Sequence, residues 1–458
     1  MNSNFQQNSL THSDLMGLQQ SVYGFFSEKS RRAERNLRLK RGEHWAPEER
    51  QRIIEQGREP YSMSLVAHKL NTILAMQRAA NEPNALDSIF RGFDSIESDV
   101  FDEGLTLSYG AVEIGVEGLP QSPHPKVKKL PHGSLTWDVN ASDFMLRDAL
   151  FMTKREHRYR YEIEREHGNL GNLPPAVQKD FSLTGTTTTY FIKSHNASHA
   201  GPNDVITVFT HYHRVTKTYY YVVFTDGEGA SVANRYETRK EAEQALREFQ
   251  VPYLLNHGVD PGGIVIKREE DTLEKYVFTA YGIHSYELLN QIHFPFAVYR
   301  SFHHGKEFWT LTDLLADPQR FLDRIYMQID FGFGKDIKNL FQANVNALAE
   351  IETPAKAMEK ASKTGGIIWT RSNEEVLKPL RSTGVNPQFL QLGAIMQTFI
   401  EDLAGGRSFQ GLGEGANESG RAILAKQQQG LVAAGLYLDN LALWRAYVQQ
   451  LLLEQQRK

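Results

Sequence analysis

Leu65, Val66, Leu70, Ile73 and Leu74 recur at three- and four-residue intervals, so residues 61–80 are expected to form a helix with one apolar face. Residues 13–40 read the same way, with Ser13 and Asp14 placed to cap the start. Between these two, Pro47 takes a first-helical position followed by Glu48 and Glu49, while Gly57 and Pro60 close the short helix. A further helix is expected over 83–106.

The spacing changes near residue 107. "LSYGAVEIGVEG" alternates and ends in glycine, which predicts a strand. "SLTWDV", "VITVFTHYHRV", "KTYYYVVFT", "KYVFTAYGI" and "FPFAVYRSF" are further strand candidates, rich in tyrosine and β-branched residues. "TRKEAEQALREFQ" is a helix among them, and "SLTGTTTTYFIKSHNASHAGPND" is polar enough to be a loop. Residues 107–305 are thus expected to be β-rich with helical insertions.

Helical spacing returns at 309. Asp317 is a plausible N-cap with Pro318 at the first helical position. Phe321, Leu322, Ile325 and Ile329 form its stripe, and Gly332 and Gly334 weaken its end. "NALAEIE" and "GGIIWTR" look like short strands in a small unit at about 340–385. Phe389, Leu392, Met396, Phe399 and Leu403 mark a second amphipathic helix. A glycine-rich stretch follows, then a last helical tract over about 419–458, where Gly430 and Gly435 are candidate bends.

Composition narrows the chemistry. The 458 residues are 40% hydrophobic and 23% charged, which describes a globular chain, and its successive blocks of helices and strands put it in the mixed α+β class. The absence of cysteine removes disulfides, thiolate metal sites and thiol nucleophiles. A net charge of −4 argues against a protein that grips DNA along its length. No apolar run is long enough to cross a bilayer, and the first residues lack a signal-peptide pattern, so a soluble protein made in the cytoplasm is expected. The densest basic stretch, "KSRRAERNLRLKR", carries seven cations against one acid. Its Arg31, Arg32, Arg35 and Arg38 are either a solvated helix face or a contact surface for phosphate or an acidic neighbour.

The stretch "GGRSFQGLGEGANES" at 405–419 raises the question of a phosphate loop. It fails in detail: Gly420 is followed by Arg421 and Ala422, not by lysine and a hydroxyl residue, and a helix rather than a strand precedes it. No histidine cluster has metal-ligand spacing, and no acid pair stands out as catalytic. No cofactor is expected.

The order of elements resembles that of tailed-phage portal proteins, most closely those of short-tailed phages. "LKRGEHWAPEERQRIIEQGREP" resembles the family's N-terminal stretch, and "EGLTLSYGAVEIGVE" the strand after its first helical block. "DFMLRDALFMTKREHRYRYEIEREHG" is similar to a family segment with two aspartates and a following helix. "HFPFAVYRSF" and "DPQRFLDRIYMQ" resemble the strand leading to the stem and the stem-helix start. "ANESGRAILAKQQQG", followed by "YLDNLALWR", is similar to the family's helix after the tunnel loop, and is the most telling stretch. Three positions depart from the pattern: Asp323 and Ser64 stand where asparagine is expected, and Ala75 where glycine is.

The resemblance implies a portal fold. A wing of helices and β structure would span 1–308, stem helices 309–338 and 387–404, and a small α/β clip 339–386. The tunnel loop would be 405–418 and the long last helix 419–458, with no long barrel expected beyond it. It implies a non-enzymatic homo-oligomeric ring, usually of twelve subunits, at one capsid vertex of the virion. Double-stranded DNA would enter and leave through the ring during packaging and ejection. The major capsid protein, terminase and a head–tail adaptor would be its other partners, with no membrane. Arg407, Ser408, Phe409, Gln410 and Asn417 would present the tunnel loop to DNA, and Asp323, Asp330 and Asp336 would add acidic rings to the lumen. Ordinary solvated positions, or ion pairs between subunits with Arg320, Arg324 and Lys335, fit those acids equally well. The alternatives are a DNA-processing enzyme with an unrecognised acidic metal site, and a non-portal ring adaptor of the virion.

Overall fold

The computed structural model describes residues 10–55, 58–80, 92–117, 124–168, 170, 192–193, 205–225, 231–257, 263–337, 341–344, 346, 353–361, 371, 377–379, 387–403 and 420–456. In chain order, helices α1 (His12–Lys40), α2 (Pro47–Glu55), α3 (Leu65–Ala80) and α4 (Phe93–Thr106) lead into strands. These are β1 (Gly110–Glu117), β2 (His124–Lys129), β3 (Leu135–Trp137) and β4 (Phe151–Tyr159). Then come α5 (Arg160–His167), β5 (Ile192–Lys193), β6 (Val205–Thr225), β7 (Ser231–Tyr236) and α6 (Arg239–His257). Strands β8 (Gly263–Thr279), β9 (Gly282–Leu289), β10 (Phe296–Tyr299), β11 (Phe302–His304) and β12 (Glu307–Trp309) follow. The remainder is α7 (Leu311–Ile337), β13 (Phe341–Ala343), α8 (Pro354–Ala361), β14 (Leu377–Pro379), α9 (Pro387–Leu403) and α10 (Gly420–Gln456).

The chain divides into two units. The first comprises Met1–Ala33, Ala80–Trp309 and Asp439–Lys458; the second comprises Glu34–Ala79 and Thr310–Leu438. Residues 34–79 therefore group with the helices after 310.

The first unit is built on an antiparallel sheet ordered β3-β4-β6-β8-β9, with β5 and β7 also paired to β6. A smaller sheet, β10-β1-β2, stands beside α4. Gly110 permits this closeness: a Cβ there would collide with the Val100 carbonyl. Aromatic rings fill the principal core. Trp137 meets Phe26 edge-on at 4.8 Å between centroids and Tyr109 at 4.9 Å. Phe93 stacks on Trp444, and Arg445 of α10 binds the fully buried Glu97 of α4, Nε to Oε2 at 2.9 Å. These contacts tie the end of the last helix to the first helical block.

The "DFMLRD" stretch folds around its two aspartates. Asp148 accepts the Ser142 N–H at 2.7 Å and the Asp143 N–H at 3.1 Å, while Asp143 accepts the Met145 N–H at 2.9 Å. Burial pushes the Asp148 carboxyl upward, but these donors outweigh it and hold it below the ordinary range. Leu146 adopts φ 58°, a left-handed conformation stabilised by this loop. Arg300 Nη2 closes the segment by donating to the Asp143 and Phe144 carbonyls at 2.7 and 2.6 Å.

Several expectations change here. "VITVFTHYHRV" and "KTYYYVVFT" form one 21-residue strand, because no turn residue separates them and β8 pairs across the junction, Thr216 with Asp271 and Lys217 with Glu270. β4 was not expected as a strand, since its charges obscure the alternation. Cross-strand and neighbouring partners absorb them: Lys154 reaches Glu113 at 2.9 Å and Arg158 reaches Glu166 at 2.6 Å. Of the "NALAEIE" and "GGIIWTR" segments, all but Asn346 and Arg371 lie outside the described residues, and the strands found nearby, β13 and β14, pair with each other. Nearly all of the polar 182–204 stretch is also outside them. α10 runs unbroken through Gly430 and Gly435.

Candidate functional site

The second unit centres on α7. Its start is fixed by Thr310, whose hydroxyl accepts the Asp313 N–H at 3.0 Å while the Asp313 carboxylate accepts the Thr310 N–H at 3.0 Å. Two helix-end donors are thus satisfied reciprocally, in the sequence T-x-x-D. The expected start at Asp317 and Pro318 is about two turns too late, because Pro318 lies inside the helix. The helix continues through Gly332 and Gly334 to Ile337.

One face of α7 clamps the chain entering α3. Gln319 accepts the Val66 N–H at 3.2 Å and donates to the Met63 carbonyl at 2.7 Å. The Val66 N–H belongs to the first turn of α3, where no helical carbonyl is available to it. Asp323 accepts the Met63 N–H at 3.0 Å and a Gln319 N–H at 3.1 Å. Its other oxygen lies 2.5 Å from His44 Nδ1, and His44 Nε2 lies 3.3 Å from the Ser64 hydroxyl. Two of the three departures from the portal pattern, Asp323 and Ser64, therefore meet through one histidine.

This corrects the expectation for Asp323. Its side chain is 0% exposed and its oxygens are engaged within the chain, so it does not present a charge to solvent. Asp330 is exposed on α7, and the Asp336 side chain lies outside the described residues, as do Arg407, Ser408, Phe409, Gln410 and Asn417. The basic run of α1 is partly spent on local partners. Arg35 binds Asp313 at 2.8 Å, Arg38 donates to the Trp45 carbonyl at 2.7 Å, Arg32 pairs with Glu28, and Arg31 is exposed.

α9 packs along α7, with Gly393 facing Ile325 Cγ2 at a distance a Cβ would bring to 3.6 Å. Ile400 is buried at this contact, as are Leu322, Ile325 and Ile329 of α7. The rest of the apolar surface is left out. Phe389, Leu390, Ile395 and Phe399 of α9 are 40–61% exposed, and Leu314 and Phe321 of α7 are 41% and 42% exposed. Leu392, Met396 and Leu403 are half-buried. The stripe read from the sequence is thus split between a face used within the chain and a face open to solvent.

The sequence reading missed Thr310, Gln319 and His44. The T-x-x-D spacing was a usable signal for the first; His44 sits in "GEHWAP", where nothing marks it for burial. Among the described residues, no group of three or more acids and histidines is arranged to hold a metal ion, and no helix is long and apolar enough to cross a membrane.

The model of the family described as "Phage P22-like portal protein" matches residues 91–458. No curated protein matches the chain.

Proposed function

We propose a mechanism from one premise: the chain belongs to the phage P22-like portal protein family and is a phage portal protein of the capsid vertex. Copies of it form a ring, twelve by the usual portal arrangement, with α7 and α9 as the stem and residues 405–418 facing the bore. Double-stranded DNA passes through during packaging and ejection. The region at 339–386 acts as the clip, meeting terminase during filling and the head–tail adaptor afterwards, and the 1–308 region lies against the capsid shell.

The observation that carries this reading is the divided surface of α9. A chain that stayed alone in water would leave Phe389, Leu390, Ile395 and Phe399 substantially exposed. A neighbouring copy would cover them, at roughly 1 kcal/mol for the exposed part of each side chain.

The composition of 405–418 suits passage rather than capture. DNA carries one negative charge per ~1.7 Å of axis, and a channel that held it firmly would stall. Arg407 is the one cation of the stretch, set among glycines, uncharged side chains and two acids, Glu414 and Glu418, that would repel DNA. Asp330 and Asp336 add repulsion along α7.

Electron microscopy of the purified protein tests the ring: countable subunits around a central hole are expected, and a persistent monomer removes the proposal. Deleting 407–416 should leave rings intact and impair DNA filling or retention. Unaltered packaging would remove the tunnel assignment.

A further inference from the structure

The first unit holds a cavity of about 310 Å³ between the middle of α1, the start of β1, and strands β3 and β4. This is the size range of small-molecule sites. Its floor is buried: Phe26, Lys29, Ser108, Tyr109 and Thr136 are each less than a tenth exposed. Its rim is open, with Ser27, Ser30 and His157 exposed. The cavity is therefore reached from solvent and narrows onto protein.

Charge distinguishes it. The chain as a whole is acidic, at −4, yet no aspartate or glutamate lines this cavity. Lys29, Arg155, His132 and His157 do, together with the hydroxyls of Ser27 and Ser30. Lys29 Nζ is held by the Phe308 carbonyl at 2.8 Å and the Glu307 carboxylate at 3.2 Å, and it stands over the Phe308 ring at 4.4 Å and the Phe25 ring at 5.0 Å. Glu307 is itself 58% exposed, so solvent screens its hold on the lysine. Arg155 donates to the Gly133 carbonyl at 3.1 Å, which turns a forked donor along the wall. His132 Nδ1 lies 3.2 Å from the Tyr109 carbonyl and so carries the proton, which aims Nε2 at the Ser108 hydroxyl, 3.4 Å away. Burial pushes the His132 ring below its ordinary value, a bias that an anion in the cavity would reverse.

We propose that this cavity binds the phosphate group of a small free ligand, inorganic phosphate or a nucleoside monophosphate. A lysine, an arginine and hydroxyls around one cavity, with no lining acid, are the kind of donor set such an oxyanion requires. The aromatic floor of Phe26 and Tyr109 leaves room for a ring beside the phosphate. Neither ring formation nor DNA passage is part of this inference, so it stands or falls separately from the portal mechanism.

The test is calorimetric titration of the full-length protein, in phosphate-free buffer at constant ionic strength, with inorganic phosphate and separately with deoxyadenosine monophosphate. Saturable binding at one site per chain is expected. Arg155→Gln with His157→Gln should weaken it tenfold or more, while Lys306→Gln, at an exposed position outside the cavity, should leave it unchanged. Ser30→Asp places a carboxylate at the rim without touching the core and should abolish binding even if the Arg155 variant folds poorly. Tighter binding of the nucleotide assigns a nucleotide source, and equal affinity assigns free phosphate. Absence of saturable binding, equal affinity in the cavity variants, or equal binding of deoxyadenosine lacking phosphate overturns the proposal.

Discussion

His44 Nδ1 lies 2.5 Å from Asp323 Oδ2, and both side chains are closed to water, at 1% and 0% exposure. The pair joins the turn after α1 to the middle of α7, and the same carboxylate receives the Met63 N–H ahead of α3. Removing a buried acceptor with several donors leaves those donors unsatisfied. Asp323→Ala should therefore cost about 3–5 kcal/mol. Asp323→Asn keeps an oxygen for the Met63 N–H and an amide N–H for a neutral His44, and should cost less than half as much. Denaturant midpoints of the two variants measure the difference; equal losses would mean that the site tolerates no amide.

Thr310→Ala removes one half of the reciprocal cap at the start of α7 and also the oxygen that accepts from Asn36 Nδ2 at 3.2 Å. A loss of about 1–2 kcal/mol is expected, with Thr310→Ser retaining most of it. Thermal melts of the three proteins check this.

The open face of α9 makes a different kind of prediction. Ile395→Asp and Phe399→Ser alter side chains that are 61% and 47% exposed, so the fold of each chain should lose less than about 1 kcal/mol. Assembly should fail nonetheless. Mass photometry would then read single chains where the parent reads rings, with circular dichroism unchanged.

Acid should weaken the first unit. Burial is the first cause holding His211 down at about 3 and His284 at about 4, and burial also lowers His213. In the unfolded chain these histidines titrate near ~6.5. The folded chain therefore binds fewer protons than the unfolded one between roughly 6.5 and 4, and stability must drop as pH falls through that window. Melting temperature should decline from pH 7 to pH 4, and His284→Gln should flatten the decline. An unchanged slope in that variant would show that His284 is not among the responsible groups.

Gly110→Ala tests the backbone approach between α4 and β1. The added Cβ meets the Val100 main chain, which no rotamer change can relieve. The expected loss is about 3 kcal/mol, compared with a small effect at Gly115, where a Cβ meets nothing within 4 Å.

Much of the helical layout was legible because its signals are local. Pro47 with Glu48 and Glu49 opens α2, and the apolar spacing of Leu70 and Ile73 gives α3. What could not be read depends on residues distant in the chain. His44 looks like any surface histidine until Asp323, 279 positions later, encloses it. β4 hides its strand character behind Lys154, Arg155 and Glu156, whose charges are settled by neighbours that no periodicity reveals. On α9 the sequence located the greasy residues but could not divide them, because only packing against Ile325 determines which ones turn inward.

β6 and β8 outrun the sheet they belong to. β9 pairs with β8 only from Leu273 onward, so residues 263–272 of β8 rely on β6 for their ladder, with β7 and α6 alongside and a small core around Val222 and Ala242. Such a projection can unzip from its tip without disturbing Trp137 or Phe308. Amide protons near Val223 and Ile264 should exchange sooner than those near Phe209 and Phe278, and shortening β6 and β8 by matched pairs of residues should leave the body of the first unit intact.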